Sequence, residues 1–312
     1  MGARGSVFGS KAERRLFLSL QSRWGDRFPI YPSLPFCQVL DVADYNLTPD
    51  ELAFLFQSSI DYTLCDPHGA PLLSIEFDGV ANGFSSRGRY VPGEGSRHLS
   101  RARTFDLKLR IAQQAKYPFV VVSYEEGATL RNTTSLTIVD GVVGQVLARR
   151  DFNPQIEDRF YAVRESVADL SSEAEHDYVQ NLVLDVEAEC EMAWDPLEQV
   201  ATDAFGELWR HGIGGRYSIE FLDEPGVPTE PIDARIEALL RARRVGMRIT
   251  IDTPKGPASG EAWIRNIDGS FFSPLTIAEN VAGLTAAHRA LKMNGYPIRA
   301  FAPERDRHAR QG

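Results

Sequence analysis

Ile60-Asp61-Tyr62-Thr63-Leu64-Cys65 and Pro71-Leu72-Leu73-Ser74-Ile75-Glu76-Phe77-Asp78, joined by Asp66-Pro67-His68-Gly69-Ala70, read as a β-hairpin. Two β-rich runs alternate in polarity, and the segment between them has turn chemistry. If the turn closes symmetrically over Pro67-His68, Ile60, Tyr62 and Leu64 meet Ile75, Leu73 and Pro71 on one apolar face. The strand period of two then sends Asp61, Ser74, Glu76 and Asp78 to the other face. In that register Asp61 and Glu76 are diagonal neighbours, roughly 7–8 Å apart at the backbone. Carboxylates converging at that range repel unless a cation lies between them, and a hard ion such as Mg²⁺ (or Mn²⁺) suits oxygen ligands.

Helices are expected on both sides of this hairpin. Ser10 and Glu13 have the spacing of a capping box for a first helix ending near Trp24, and Thr48-Pro49-Asp50-Glu51 opens a second. A third helix, residues 100–116, carries Phe105, Leu107, Leu109, Ile111, Ala112 and Ala115 on one face with Lys108 near its centre, while Arg103, Asp106 and Arg110 lie opposite. Glu13 occupies the same kind of place on the first helix, among Leu16, Phe17, Leu20 and Trp24. Each helix therefore aims one ionisable group at the sheet it packs on, where a charge needs a partner. That partner is either the other helix's charge, as a Glu13–Lys108 pair, or a shared site with Asp61 and Glu76. Phe119–Ser123 follows as a short buried strand.

Glu13 on an N-terminal helix, Asp61 in a strand, then Ile75-Glu76-Phe77-Asp78-Gly79 and Asp106-Leu107-Lys108 before an apolar strand resemble the PD-(D/E)XK nuclease-like superfamily. The likeness is to the domain of unknown function related to very-short-patch repair endonucleases, over residues 10–125. It implies an α/β fold, a restriction-endonuclease-like mixed sheet flanked by helices. It also implies a Mg²⁺-dependent endonuclease acting on DNA, in a setting of bacterial defence or repair. By the resemblance Asp61 and Glu76 ligate the metal, with Asp78 as a further ligand, and Glu13 assists. Asp78 stands where the family has a lysine, and Lys108 replaces that lysine from the helix. No histidine follows Asp78-Gly79 before His98, a second departure. The alternative is a catalytically inactive nuclease-fold module that binds nucleic acid or protein.

The net charge of −9 argues against a surface that coats nucleic acid, yet the charge is unevenly spread. Arg87, Arg89, Arg97, Arg101 and Arg103 form a basic stretch suited to a phosphate backbone, within a segment 87–110 that holds only Glu94 and Asp106 as acids. Residues 165–233 carry 18 acids against Arg210 and Arg216. This acidic segment is expected either to cover the basic stretch from within the chain or to meet a basic protein partner.

A nuclease-like domain over 1–150 and an α+β region of unknown role over 151–312 are expected, divided near 150–165. Further elements are a strand at 135–139, helices at 142–149, 172–193, 197–210, 232–243 and 274–293, and strands at 216–222, 246–252 and 260–267. His211-Gly212-Ile213-Gly214-Gly215 lacks the strand–helix context of a phosphate loop. Glu173, His176 and Asp177 read as a solvated helix face. Cys37, Cys65 and Cys190 are too widely spaced for a zinc or disulfide frame. With no apolar run of membrane length and no leader pattern, the chain is expected to be cytoplasmic, without a membrane partner.

Overall fold

The hairpin forms, and it lies in the middle of a four-stranded mixed sheet. The computed structural model describes residues 8–297 apart from residues 44, 79–80, 85–89, 93–98, 131–134, 168–170, 223–230, 232, 235–237, 239–243, 266 and 268–270. Helix α1 (Lys11–Trp24) leads into β1 (Ile30–Pro35) and the short α2 (Phe36–Val39). Helix α3 (Pro49–Gln57) precedes the hairpin strands β2 (Ser59–Cys65) and β3 (Pro71–Phe77). A small β4 (Ala81–Phe84) and β5 (Tyr90–Pro92) pair antiparallel, and α4 (Leu99–Gln114) then crosses to β6 (Phe119–Val122). The sheet order is β1-β2-β3-β6, antiparallel except for the parallel β3–β6 pair.

Local chemistry accounts for the starts of these elements. Ser10 Oγ accepts from the Glu13 N–H at 3.1 Å, whereas the Glu13 carboxylate accepts from the Gly9 N–H at 2.7 Å, one residue outside the expected box. Thr48 and Glu51 make the complete box on α3, with Pro49 in its first turn. In the hairpin turn, the Asp66 carboxylate accepts from the N–H groups of His68 and Ala70, and Gly69 takes φ 90°. Only glycine adopts that conformation without strain.

The chain continues into α5 (Ile138–Val167), α6 (Ser172–Trp194) and α7 (Pro196–Arg210). The strand expected at 135–139 is reduced to a single bridge between Thr129 and Thr137, and the helix expected at 142–149 is the first part of α5. The boundary expected near 150–165 thus falls inside a continuous helix. Pro154 is tolerated there because its turn faces water, which can take up the carbonyl that proline leaves without a donor. The α6 and α7 positions agree with expectation. Of the helix expected at 232–243, Asp233, Ala234 and Ala238 are helical, and the remaining residues lie outside the described ones.

Strands β7 (Tyr217–Leu222), β8 (Arg244–Thr253) and β9 (Gly256–Arg265) form an antiparallel meander, and α8 (Pro274–Met293) packs on it. Val245, Met247, Ile249 and Ile251 alternate inward from β8. On the outer face Arg248 bridges Glu220 and Glu261, each at 2.7 Å. One row of α8, Ala278, Ala282, Ala286 and Ala290, is fully buried, which lets helix and sheet approach closely. The molecule is mixed α/β, and one apolar core runs from Leu16 and Trp24 through the first sheet to Leu291. No helix among the described residues is long and apolar enough to cross a membrane.

Polar links tie the two parts together. Trp24 Nε1 donates to Asp140 Oδ1 at 3.0 Å, joining α1 to α5, and Arg27 stacks over the Trp194 ring at 4.3 Å. Asp195, fully buried, caps α7 by accepting from the Leu197 N–H at 2.9 Å and also accepts from Gln145 Nε2 at 3.3 Å. Burial, the largest cause, pushes its carboxyl up to about 8. The unfolded chain releases that proton near pH 4 and the folded chain near 8, so the stability involved is present at low pH and is lost as pH rises through 8. The thermal unfolding midpoint is therefore expected to fall as pH rises from 6 to 8, and Asp195→Asn is expected to flatten that slope. An unchanged slope in the variant would assign it elsewhere.

Candidate active site

The hairpin register places the two acids closer than the sequence suggests. Tyr62 pairs with Ile75, Thr63 with Ser74 and Leu64 with Leu73, a shift of two residues from symmetric closure. A β-bulge between Leu64 and Cys65 and the longer turn produce that shift. Because it is an even shift, every side chain keeps its expected face. Continued one step, the register sets Asp61 directly across from Glu76 rather than diagonal to it. Each carboxylate reaches the other's strand: Asp61 Oδ2 accepts from the Phe77 N–H at 2.8 Å, and Glu76 Oε2 accepts from the Asp61 N–H at 3.4 Å.

The face that carries them is largely buried, with Thr63 and Ser74 at 0% exposure, Glu76 at 7% and Asp61 half-buried towards its open end. It does not form the wet side of a hairpin. Helix α4 lies over it, held by Phe105, Leu109, Ile111 and Ala112, and its central Lys108 is 2% exposed. Lys108 Nζ donates to Glu76 Oε1 at 2.8 Å and to the Ser59 carbonyl at 2.6 Å. The partner of Lys108 is thus Glu76, not Glu13. Burial pushes the Glu76 carboxyl up to about 7; Lys108 pulls it down and the charge of Asp61 pushes it further up. Beneath the acids, the hydroxyls of Thr63, Ser74 and Tyr117 form a closed chain at 3.2 and 2.9 Å, which satisfies the polar groups of a dry face.

Glu13 reaches the neighbourhood through its backbone. Its carbonyl accepts from the Tyr62 hydroxyl at 2.8 Å, while its carboxylate stays at the helix start. The Tyr62 phenol is raised well above its usual range by burial and then by the fields of Asp61, Glu13 and Glu76, so all three acids act on one group. Asp78 is fully buried and its N–H donates to the Val122 carbonyl at 2.7 Å. Among the described residues no three His, Cys, Asp or Glu side chains are grouped to hold a metal, so the expected trio of Asp61, Glu76 and Asp78 is not assembled. The donor set that is assembled consists of Asp61 and Glu76. Two carboxylates suit Mg²⁺, which keeps several waters and commonly takes one or two carboxylates together with substrate phosphate.

Of the basic stretch, Arg87, Arg89 and Arg97 lie outside the described residues. Arg101 is on α4, with its side chain also outside them. Arg103 is exposed on α4, and Arg110 pairs with Glu51 of α3. Two contributors carry no signal in the sequence: the Ser59 carbonyl that fixes Lys108, and the Phe77 N–H that orients Asp61. Both are backbone groups, set by register alone. Comparison with protein-family models, with characterised proteins and with solved structures returns no match to this chain.

Proposed function

We propose that the first sheet and its helices form a metal-dependent nuclease of the PD-(D/E)XK type that hydrolyses DNA phosphodiester bonds. The reading is supported chiefly by one observation, the Lys108 ammonium 2.8 Å from Glu76 and the Glu76 carboxylate in turn on the strand of Asp61. The order α1, antiparallel β1, β2 and β3, α4 and parallel β6, with α2 and α3 inserted after β1 and the β4–β5 pair after β3, also agrees with the motif order of that superfamily. Asp61 and Glu76 would hold the ion, which when bound supplies Lewis acidity at the phosphate and a water acidic enough to ionise near neutral pH. Asp61 is oriented for this by the Phe77 N–H, which donates to its Oδ2 at 2.8 Å. Lys108, held beside Glu76, would orient the attacking water or stabilise charge on the phosphate. Helix α4 and the basic stretch 87–103 offer positive charge to the substrate backbone.

Metal binding should depend on pH in a stated direction. With the Glu76 carboxyl near 7, a metal must displace its proton below that pH. Apparent Mn²⁺ affinity measured by calorimetry is expected to strengthen from pH 6 to pH 8, with proton release at pH 6. Glu76→Gln should remove both the binding and the proton release. Binding that is independent of pH, or unchanged in Glu76→Gln, would place the ion elsewhere.

The second reading is an inactive nuclease-fold module for nucleic-acid or protein binding. It is favoured by Asp78 in the usual lysine position and by the engagement of Lys108 with both Glu76 and Ser59. DNA binding without cleavage at saturating Mn²⁺ would select it.

A further inference from the structure

A second recess lies away from these acids, between α5, α6 and the chain entering α8. It is a cavity of about 310 Å³, open to solvent, a size that accommodates a small molecule. Glu187 and Glu191, one turn apart on α6, both line it. Phe152 of α5 and Phe271 and Phe272 before α8 line it as well. Phe272 is buried, whereas Phe152 and Phe271 are half-buried. Arg149 lines the exposed rim, so two carboxylates face one guanidinium and the recess keeps a negative balance.

We propose that this recess is a binding site for a small organic ammonium ion, its charge on Glu187 and Glu191 and its carbon skeleton against the phenylalanine rings. Aromatic faces attract cations and their edges accept apolar chain, and a carboxylate pair adds the charge that a neutral cage lacks. Arg149 is the one cationic residue among the described residues lining the recess, against the two carboxylates. Glu191 is half-buried, and its carboxyl is pushed up to about 7 by burial first and then by Glu198 and Glu187. A bound cation relieves both the repulsion and the desolvation. The surroundings favour cation entry too, because residues 165–233 carry 18 acids and two arginines, and fields of that sign concentrate cations near the surface. The same features disfavour an anionic ligand despite Arg149. This site is independent of the nuclease reading and shares no residue with it.

The test is calorimetric titration of the full chain with choline and, separately, with 1,4-diaminobutane, which distinguish a quaternary from a primary ammonium. Saturable binding of at least one is expected. Glu187→Gln/Glu191→Gln should weaken it about tenfold or more, a loss of roughly 1.4 kcal/mol. Phe271→Ala should weaken it separately, and Glu76→Gln should leave it unchanged. Absence of saturation by both amines in the millimolar range overturns the proposal. So does a folded double variant, by circular dichroism, that binds as tightly as the wild type.

Discussion

Glu76→Ala is expected to destabilise the protein by about 3–5 kcal/mol and to abolish any metal-dependent cleavage. The stability loss does not measure an attraction. It measures what remains: Lys108, 2% exposed, would lose the carboxylate opposite its ammonium and retain its hydrogen bond to the Ser59 carbonyl. Removing one member of a buried pair is far more damaging than removing both, since an uncompensated charge in a dry site costs several kcal/mol. The double substitution Glu76→Leu/Lys108→Met should therefore recover most of the loss in urea unfolding while remaining inactive. If Glu76→Ala unfolds at the wild-type midpoint, the ion pair is not buried as described.

Gly260→Ala is expected to have an effect of similar size in the other sheet. A Cβ there would lie 2.1 Å from the Ala282 carbonyl oxygen and 2.5 Å from the Ala286 nitrogen, both backbone atoms of α8. No rotamer change relieves a backbone clash, so α8 must lift from β9, across a contact made close by its buried alanine row. A loss of about 3 kcal/mol is expected from overpacking of this kind. Gly206→Ala in α7 is the control, since nothing lies within 4 Å of its Cβ position. It should be neutral or stabilising, by up to roughly 1 kcal/mol from helix propensity. Equal midpoints for the two variants would show that the α8–β9 approach is looser than described.

The sequence made faces legible but not neighbours. Period-two alternation assigns Asp61, Ser74 and Glu76 to one side, because parity survives any even slip of register. The actual pairing depends on a bulge at Leu64–Cys65 and a turn built by the Asp66 carboxylate, which no alternation encodes. Lys108 could be picked out as a charge inside an apolar stripe. Its choice of Glu76 over Glu13 could not, since that is decided by which side of the sheet each helix covers. Glu13 meets Tyr62 through its backbone, whereas Lys108 reaches the opposite face. Helix α5 was obscured for a different reason: Pro154 resembles a break, and Gly141 lies just outside the helix expected at 142–149 while Gly144 lies within it. The two glycines admit neighbours, with Leu197 packed on Gly141 and the Trp194–Pro196 backbone on Gly144. The helix therefore runs through the point where composition suggested a boundary.

The most direct test of the Asp61–Glu76 site is cleavage of single- and double-stranded DNA with Mg²⁺ or Mn²⁺ by the wild type, Asp61→Asn and Glu76→Gln. Both substitutions preserve shape and remove one negative charge; because Glu76→Gln also takes the countercharge from buried Lys108, cleavage is compared under conditions in which circular dichroism shows each variant folded. Metal-dependent cleavage by the wild type, absent without the ion and lost in both variants, is the expected result. Cleavage retained in both folded variants would contradict the assignment of Asp61 and Glu76 as the metal-holding pair.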